Sequence, residues 1–523
     1  MSKTLFYNGK VYTGTLPLTD SFSVEDGRFC APGGEDERID LKGRFVCAGF
    51  NDSHMHLLNY GRALTGARLA EHTSSLRELK EYLRDFLRDH PVPEGGWLRG
   101  RGWNQDYFTD TDRMPDRWDL DEVSKEIPIV ITRACGHCVV LNSAALKAAG
   151  IDAGTPDPEG GAIGRQNGFP DGRLYENAVG IPFSAAAPPS KDEMKEMIAA
   201  AAGRANSYGL TSVHSDDYGT FAGVSAETVN EIFRELASEG RLTVRVNEQC
   251  NLGGSRQLEA FIRGGGFTGG DEMFRPGPLK IVADGSLGSR TAKLSEPYPG
   301  TEETGILLYD PDEMYRMIAM AAAEGHGSAV HAIGDGCLDL VLDIMKRVQE
   351  EQPGERRDGI VHCQVSRPEQ LERIAEQGIG VYAQSIFLDY DNHIVTQLVP
   401  ETARCSSYSW KTLLDKGVNV SNGSDCPVEE PDVMRGIQCA VTRTSMDGTG
   451  PYLPEQAFTV KEALDSFTYA GAYASFEEKI KGRIEEGMLA DFTVLSADPF
   501  STPAGELAGI KAEETWLGGR RVF

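Results

Sequence analysis

Two histidines with a spacing of two residues, His54 and His56, follow an apolar run at residues 45–48. In an extended strand, residues i and i+2 point to the same side, so this spacing predicts that both imidazoles face one point. Imidazole is the commonest side-chain metal ligand. The pair therefore indicates a metal site, although two polar residues on a hydrated strand face would show the same spacing.

Other candidate ligands stand at the ends of later strand-like runs. The chain has ten histidines, and five of them, with His54 and His56 included, lie at the ends of predicted strands. A single histidine there is compatible with a structural role, because rim histidines often bond a backbone carbonyl. Together they offer the nitrogen and oxygen ligands that divalent transition metals such as zinc prefer. The later positions are His214, Asp284, His331, His362 and Asp425.

The elements that carry these residues alternate between strand-like and helical patterns. Helices are predicted between most of the strands, for example at residues 314–324, 338–350 and 368–377. Eight such units predict an α/β fold with a closed (β/α)8 barrel, whose chemistry sits at the C-terminal ends of the strands. After the strand that ends at His54 and His56, the predicted strands are 209–214, 242–246, 279–284, 327–331, 359–362, 378–383 and 417–422.

Both termini show short β patterns. Asn8-Gly9 and Gly518-Gly519 each separate two strand-like runs, which predicts a hairpin at each end of the chain. A further strand is expected at residues 490–495, so we predict one small β domain built from residues 1–48 and 479–523. Residues 49–478 are then the barrel. The connection after the first strand is too long for a loop, and we predict a mostly helical insertion at 60–205 that caps the active-site face.

Composition limits the function classes. A chain of 523 residues with a formal charge of -27 is not expected to bind nucleic acid, which requires a basic face. No apolar run is long enough to span a bilayer, and the first residues lack a signal-peptide core, so we expect a cytoplasmic protein without membrane contacts. The ten cysteines are scattered. Cys135 and Cys138 have dithiol spacing, which leaves a dithiol oxidoreductase as an alternative.

Taken together, these motifs make the chain similar to the amidohydrolase superfamily of metal-dependent hydrolases. It most resembles the branch that includes N-substituted formamide deformylases, and the likeness covers nearly the whole chain. The resemblance implies a (β/α)8 TIM barrel with a long insertion after strand 1, plus a small β-sandwich formed by both termini. The matching segments are 49–56, 99–104, His137 with 142–146, Lys280 with 284–286, 331–335, His362, 423–425 and 487–492.

The resemblance also implies a ligand set. His54 and His56 hold the more buried ion, His331 and His362 a second position, and Asp425 completes the site and handles protons. Lys280 is the expected bridge if carbon dioxide carboxylates it, because an unmodified ammonium group has only donors. Asp284 competes for that role, since it lies on the same strand face about 13 Å further along. One or two ions, with zinc expected, are both compatible with this set.

The predicted reaction is hydrolysis of a C–N bond in an amide-like small molecule by metal-activated water. Asp425 acts as general base and then as general acid. His137 is expected to orient the scissile carbonyl, and Trp103, Asp106 and Arg290 are weaker candidates for the pocket wall. Deamination, cyclic-amide hydrolysis and a non-catalytic metal-binding protein stay open as alternatives. A homodimer is compatible with the pattern.

Overall fold

The computed structural model describes residues 3–92, 95–133, 138–158, 161–185 and 188–523. The chain divides into two compact units. The barrel unit comprises Met1–Asn59, Ala201–Thr220 and Ser225–Phe523, and the insertion unit comprises Tyr60–Ala200 and Phe221–Val224. The β-sandwich and the barrel thus lie in one unit. The domain limits inferred from the sequence stay a prediction.

Eight parallel strands form the barrel sheet, in chain order from one edge to the other. This confirms the α/β barrel predicted from the sequence. Each strand pairs in parallel with its neighbours in the sheet, as βα repeats require. Barrel strands 1 to 8 are Phe50–Met55, Leu210–Ser215, Arg245–Asn251, Phe274–Val282, Ser328–Ala332, Gly359–His362, Gly380–Ala383 and Val420–Asn422.

Barrel strand 3 was predicted too early in the chain. The sequence pattern placed it at 242–246, whereas the strand runs over Arg245–Asn251. Its middle consists of the polar residues Asn247, Glu248 and Gln249, which are buried. Apolar periodicity does not detect such a strand, because the pattern assumes that buried positions are apolar.

Helices connect the strands of both units, and the predicted helices 314–324, 338–350 and 368–377 are confirmed within three residues at each end. The helices are Leu57–Thr65, Leu76–Asp89, Arg117–Asp121, Ser143–Ala148, Gly180–Ala185, Lys191–Asn206, Ala226–Ser238, Ser255–Arg263, Pro311–Ala323, Asp335–Glu351, Pro368–Glu376, Leu388–Asp391, Val395–Leu398, Glu401–Arg404, Trp410–Asp415, Val433–Thr442, Val460–Ser466 and Tyr469–Ala474. Within the part of the chain that the structure covers, none of them combines the length and the apolar character needed to cross a bilayer.

The two termini build a β-sandwich, as the resemblance implied. One sheet has the order Arg28–Cys30, Phe22–Glu25, Thr4–Tyr7, Glu37–Asp40. The other has the order Lys10–Tyr12, Phe45–Ala48, Phe492–Leu495, Ala512–Leu517, Arg520–Arg521. Buried aromatic residues from both sheets form the core between them, with the rings of Phe6 and Phe22 stacked at 4.9 Å.

The N-terminal hairpin prediction was wrong, and the C-terminal one is confirmed. Thr4–Tyr7 and Lys10–Tyr12 do not pair with each other but enter different sheets. Asn8, with a φ of 59°, and Gly9 therefore form the crossing between sheets; a Cβ on Gly9 would lie 2.6 Å from Leu41 Cδ1. Ala512–Leu517 and Arg520–Arg521 do form a hairpin.

A buried ion pair joins the barrel to the β-sandwich. Arg245 at the start of barrel strand 3 donates two hydrogen bonds to Asp491, at 2.6 and 3.0 Å, and Gly518 N donates a third at 2.7 Å. Both side chains are about 5% exposed or less. Removal of one partner would leave the other charge buried and unpaired, which costs several kcal/mol.

We therefore expect Asp491→Ala to lower the free energy of unfolding by about 3–5 kcal/mol, measured by denaturant titration. The matched control is Glu259→Ala, which breaks the exposed Arg263–Glu259 pair of a barrel helix. That control should lose less than about 1 kcal/mol. Equal losses in both variants would contradict the role assigned to the buried pair.

The insertion unit contains a mixed six-stranded sheet that the sequence analysis, which predicted mainly helices here, did not detect. Helix Leu76–Asp89 lies in this unit, and helix Lys191–Asn206 begins in it, as the mostly helical prediction for 60–205 requires. The sheet has the order Gly161–Gln166, Phe169–Glu176, Cys138–Leu141, Ile129–Arg133, Leu98–Trp103, Ala67–Arg68.

Candidate active site

His54, His56 and Asp425 form a compact cluster at the C-terminal end of the barrel. Their ligating atoms all lie within 4.8 Å of one another. Asp425 Oδ1 is 3.4 Å from His54 Nε2 and 3.1 Å from His56 Nε2. His54 is the next-to-last residue of barrel strand 1, and His56 follows the strand directly. The i, i+2 spacing thus brings both rings to one carboxylate.

The backbone after barrel strand 8 holds Asp425 against strand 1. Asp425 N donates to His54 O at 2.8 Å. Asp52 accepts hydrogen bonds from the backbone N–H groups of His54 and Ser424, each at 3.1 Å. A Cβ on Gly423 would lie 2.6 Å from both Asp52 Oδ1 and His54 N. A glycine at this position is therefore required for the close approach that seats the carboxylate.

Lys280 reaches the cluster from inside barrel strand 4. Its Nζ lies 3.4 Å from His54 Nε2 and 3.5 Å from Asp216 Oδ2. The side chain is 2% exposed. Asp216, which follows barrel strand 2, was not identified from the sequence. Its backbone carbonyl accepts a 2.8 Å hydrogen bond from His56 Nδ1.

His331 and His362 form a second pair of imidazoles beside the first. Their ring centroids are 4.5 Å apart, and the ring of His362 lies 5.6 Å from that of His54. His362 has a φ of 76° and Asp425 a φ of 57°, conformations that bulky residues rarely adopt. Backbone strain of about 1–3 kcal/mol per residue is typical of positions that a functional site constrains.

Asp284 holds backbone loops together. It is fully buried and accepts hydrogen bonds from the N–H groups of Ile333, Gly334 and Lys293, at 2.8 to 3.0 Å. Its Oδ1 also lies 3.3 Å from His331 Nε2. Three backbone donors already occupy its two oxygens, whereas the Nζ of Lys280 lies beside the His54 ring. The choice between Lys280 and Asp284 as the bridging residue stays a prediction.

Proton positions in the cluster follow from its charges. Burial alone would raise the pKa of Asp425, but the hydrogen bond from the charged His56 outweighs it and lowers that pKa. Burial opposes the charged form of His56, yet the hydrogen bond to Asp425 and the nearby Asp216 raise its pKa to about 9. In the absence of a cation, the proton thus resides on His56 and Asp425 is ionised. A bound cation would have to displace that proton, because only neutral imidazole is a ligand.

The other two buried imidazoles are neutral. Burial, followed by the charge of Lys280, lowers the pKa of His54 well below its usual value. Burial, followed by His331, lowers the pKa of His362 to about 3. Both rings therefore offer a lone pair at neutral pH, which is the form that binds metal ions.

Two buried glutamines fix which nitrogen carries that lone pair. His54 Nδ1 lies 2.7 Å from Gln249 Oε1, and His362 Nδ1 lies 2.7 Å from Gln384 Oε1. The amide groups are themselves anchored, because Gln249 donates to Ser53 O and Gln384 donates to Tyr382 O. Since an amide oxygen only accepts, both Nδ1 atoms are protonated and both Nε2 atoms are free to bind an ion.

We expect Gln384→Leu to weaken metal binding about 10- to 100-fold, because His362 loses the partner that fixes its tautomer and ring orientation. Metal affinity by competitive chelator titration is the measurement. Gln370→Leu is the matched control, since Gln370 is equally buried and makes two hydrogen bonds outside the cluster. An equal loss of affinity in both variants would assign the effect to general destabilisation.

The donor set fits a divalent transition metal. Neutral Nε2 atoms, an ionised carboxylate and anchored Nδ1 atoms are together the chemistry that zinc-type sites use. His54 and Asp425 are buried, and His56 is partly accessible, with 27% of its side chain exposed. The site can therefore hold an ion and still admit a small molecule.

Three of the remaining candidates from the sequence lie in the described part of the chain. Arg290 is exposed in the loop after barrel strand 4. In the insertion unit, Trp103 is fully buried in a hydrophobic core, and Asp106 is exposed and pairs with Arg133 at 3.1 Å. Their assignment to substrate binding stays a prediction. His137 lies outside the described residues.

Two other residues that the sequence analysis named are buried. His214 is fully buried in barrel strand 2, and burial followed by the charge of Lys481 lowers its pKa to about 3. Cys138 is buried in the insertion sheet as a free thiol. Its proposed dithiol partner, Cys135, lies outside the described residues.

Comparison with known proteins identifies the family. The family model described as "Amidohydrolase family" matches residues 37–523. The chain belongs to the amidohydrolase family. It is 33% identical to a putative amidohydrolase of Bacillus subtilis, and the alignment covers 100% of this chain and 99% of the relative.

Other relatives agree with the fold and the family. An N-substituted formamide deformylase of Arthrobacter pascens is 28% identical over 92% of this amidohydrolase and 89% of the relative. The solved structure of an uncharacterized metal-dependent hydrolase from Pyrococcus furiosus is 27% identical, with a TM-score of 0.80 over 95% of this chain and 100% of that one. These matches confirm the resemblance inferred from the sequence motifs.

Proposed function

We propose that this amidohydrolase uses a divalent metal to hydrolyse a non-peptide C–N bond in an amide-like substrate, such as an N-formyl or N-acyl amine. The observation that carries the proposal is the position of Asp425, whose Oδ1 lies within 3.4 Å of the Nε2 atoms of both His54 and His56. A carboxylate placed between ligand imidazoles can both complete an ion site and exchange a proton with the reacting groups. The relative named as a formamide deformylase supports this bond type.

His54, His56 and Asp425 would hold one ion, and His331 and His362 would extend the site to a second position. Zinc is proposed because the donors are imidazole nitrogens and carboxylate oxygen. A bound ion of this kind supplies a water of lowered pKa and polarises a carbonyl oxygen. Gln249 and Gln384 keep the ligand rings in the required tautomer.

Asp425 is the proposed proton carrier. It is ionised before the reaction, so it can accept a proton from the nucleophilic water and later donate it to the leaving nitrogen. The backbone bonds after barrel strand 8 hold its carboxylate in place during both transfers. His137 is proposed to orient the scissile carbonyl, and Arg290, Trp103 and Asp106 are proposed pocket residues.

Lys280 is proposed to be carboxylated. Its Nζ is buried beside His54 Nε2 and Asp216, where a carbamate would place two oxygens next to the ligand nitrogens. The added group would convert a donor into an anionic bridge between two ions. Intact-protein mass measurement under native conditions, with and without bicarbonate, checks the added mass, and Lys280→Met is the control that should not gain it.

The test of function combines metal quantification with a substrate screen. The purified protein should contain about one or two equivalents of zinc-type metal, and a panel of N-formyl and N-acyl amines should be turned over. Chelation should abolish turnover, and added metal should restore it. Turnover of amino-heterocycles or cyclic amides in place of open amides would favour deamination or cyclic-amide hydrolysis at the same site. Activity that survives chelation and is lost in Cys138→Ser would favour the dithiol alternative.

A further inference from the structure

A second cavity lies at the opposite end of the barrel from the metal-ligand cluster. Its volume is about 670 Å³, within the range that small-molecule sites occupy. The first residues of barrel strands 7 and 8 form one side of the cavity, and helices Val460–Ser466 and Tyr469–Ala474 form another. Because the ligand residues lie at the C-terminal strand ends, this cavity is separate from the candidate active site.

Every charged residue in the cavity lining except one has an ion-pair partner. Among the charged lining residues, Arg357 pairs with Glu478, Lys416 with Glu372, Glu462 with Lys411 and Asp465 with Lys461. Arg483 has no ion-pair partner among the described residues. Its guanidinium stacks on the Tyr469 ring at 4.0 Å, and its buried Nε has no hydrogen-bond partner there. The cavity is therefore lined by one guanidinium that has no ion-pair partner among the described residues.

A buried tyrosine adds an unused donor. Tyr382 of barrel strand 7 lines the cavity and is 2% exposed. Its hydroxyl makes no hydrogen bond within the described part of the chain. Burial, followed by the nearby Asp358, raises the pKa of this phenol, so it is neutral and can donate. Because the hydroxyl has no partner within the described residues, it can donate to a molecule that occupies the cavity.

Apolar side chains form part of the cavity wall. Ile379, Val381, Val418, Val420 and Ala470 all contribute to the lining. Apolar walls with a few convergent donors are typical of sites for organic ligands, and the single free guanidinium selects an anion. We propose that this cavity is a second small-molecule site that binds an organic monoanion with a flat apolar body, the class of the aromatic carboxylates, through Arg483 and Tyr382.

The test uses the full chain loaded with metal and benzoate as the probe, with binding followed by calorimetric titration or ligand-observed NMR. Saturable binding of benzoate is expected. Benzylamine and inorganic phosphate should bind at least 10-fold more weakly, because the first has the wrong charge and the second has no apolar body. Tighter binding of either compound would overturn the proposed ligand class.

Variants place the bound probe. Arg483→Gln should weaken benzoate binding at least 10-fold, Tyr382→Phe several-fold, and Ala474→Phe should block the cavity sterically. Arg256→Gln, an exposed arginine on a barrel helix, is the matched control and should leave the affinity unchanged. Thermal unfolding checks that each variant is folded. If Arg483→Gln does not fold, the result for Ala474→Phe decides.

A carboxylate could also bind at the metal cluster, so His54→Ala separates the two sites. Benzoate binding that persists in His54→Ala and is lost in Arg483→Gln supports the cavity. Binding that is lost in His54→Ala and persists in Arg483→Gln and Ala474→Phe overturns it. Absence of any saturable binding by the wild-type protein also overturns it.

Discussion

Replacement of Asp425 by asparagine is expected to lower kcat by about 10²- to 10⁴-fold while the metal stays bound at saturating concentration. The amide keeps the size of the side chain and one oxygen that can act as a ligand. It cannot accept a proton from water at neutral pH, so the proton transfers that Asp425 is proposed to perform are lost. The measurement is kcat together with metal content on the same sample.

The matched control for this change is Asp391→Asn. Asp391 is also buried, and it accepts hydrogen bonds from Tyr408 Oη at 2.9 Å and Gln364 Nε2 at 2.7 Å. An amide oxygen can accept bonds from the same donors, so kcat in this variant should stay within a few-fold of the wild type. Full turnover in Asp425→Asn would remove the proposed proton carrier. Loss of the metal in that variant would assign Asp425 to ligation alone.

The sequence predicted the barrel well because its strands are mostly short apolar runs that alternate with helices. The runs at 327–331 and 359–362 each end in a histidine, and both strands are present almost as predicted. The rule that chemistry lies at the C-terminal strand ends then predicts one shared site for His54, His56, His331, His362 and Asp425. The structure adds the distances between them.

The residues that the sequence did not reveal are polar groups that act through the ligands. Gln249 lies in the polar middle of barrel strand 3, which apolar periodicity did not detect. Gln384 and Asp216 directly follow barrel strands 7 and 2. The strand-end rule could therefore have found those two. What the rule cannot supply is the pairing of each side chain with a particular imidazole nitrogen, because that pairing depends on the register between strands.

The failed hairpin at Asn8-Gly9 has a similar origin. This dipeptide does bend the chain, and Asn8 has the positive φ that a hairpin turn would require. The strands on its two sides belong to different sheets because Lys10–Tyr12 pairs with Phe45–Ala48. Local turn chemistry favours a bend in the chain but does not fix the partner of each strand, which long-range packing decides.

His54→Ala is expected to weaken metal binding by at least about 10²-fold and to reduce turnover to background. His54 contacts more of the cluster than the other ligands do: Asp425 and Lys280 lie at its Nε2, and Gln249 lies at its Nδ1. Its removal deletes a neutral nitrogen donor and leaves the Gln249 amide without a partner. Metal content after dialysis, measured by elemental analysis, checks the first expectation.

His326→Ala is the matched control for this loss, because it also deletes an imidazole, a half-buried one that stacks on Phe267 at 4.3 Å outside the cluster. It should retain metal and turnover. If His54→Ala kept its metal and its activity, the imidazole pair could not be the centre of the site. Metal retention with lost turnover would instead show that the remaining donors hold the ion, and that His54 serves to position it against Asp425.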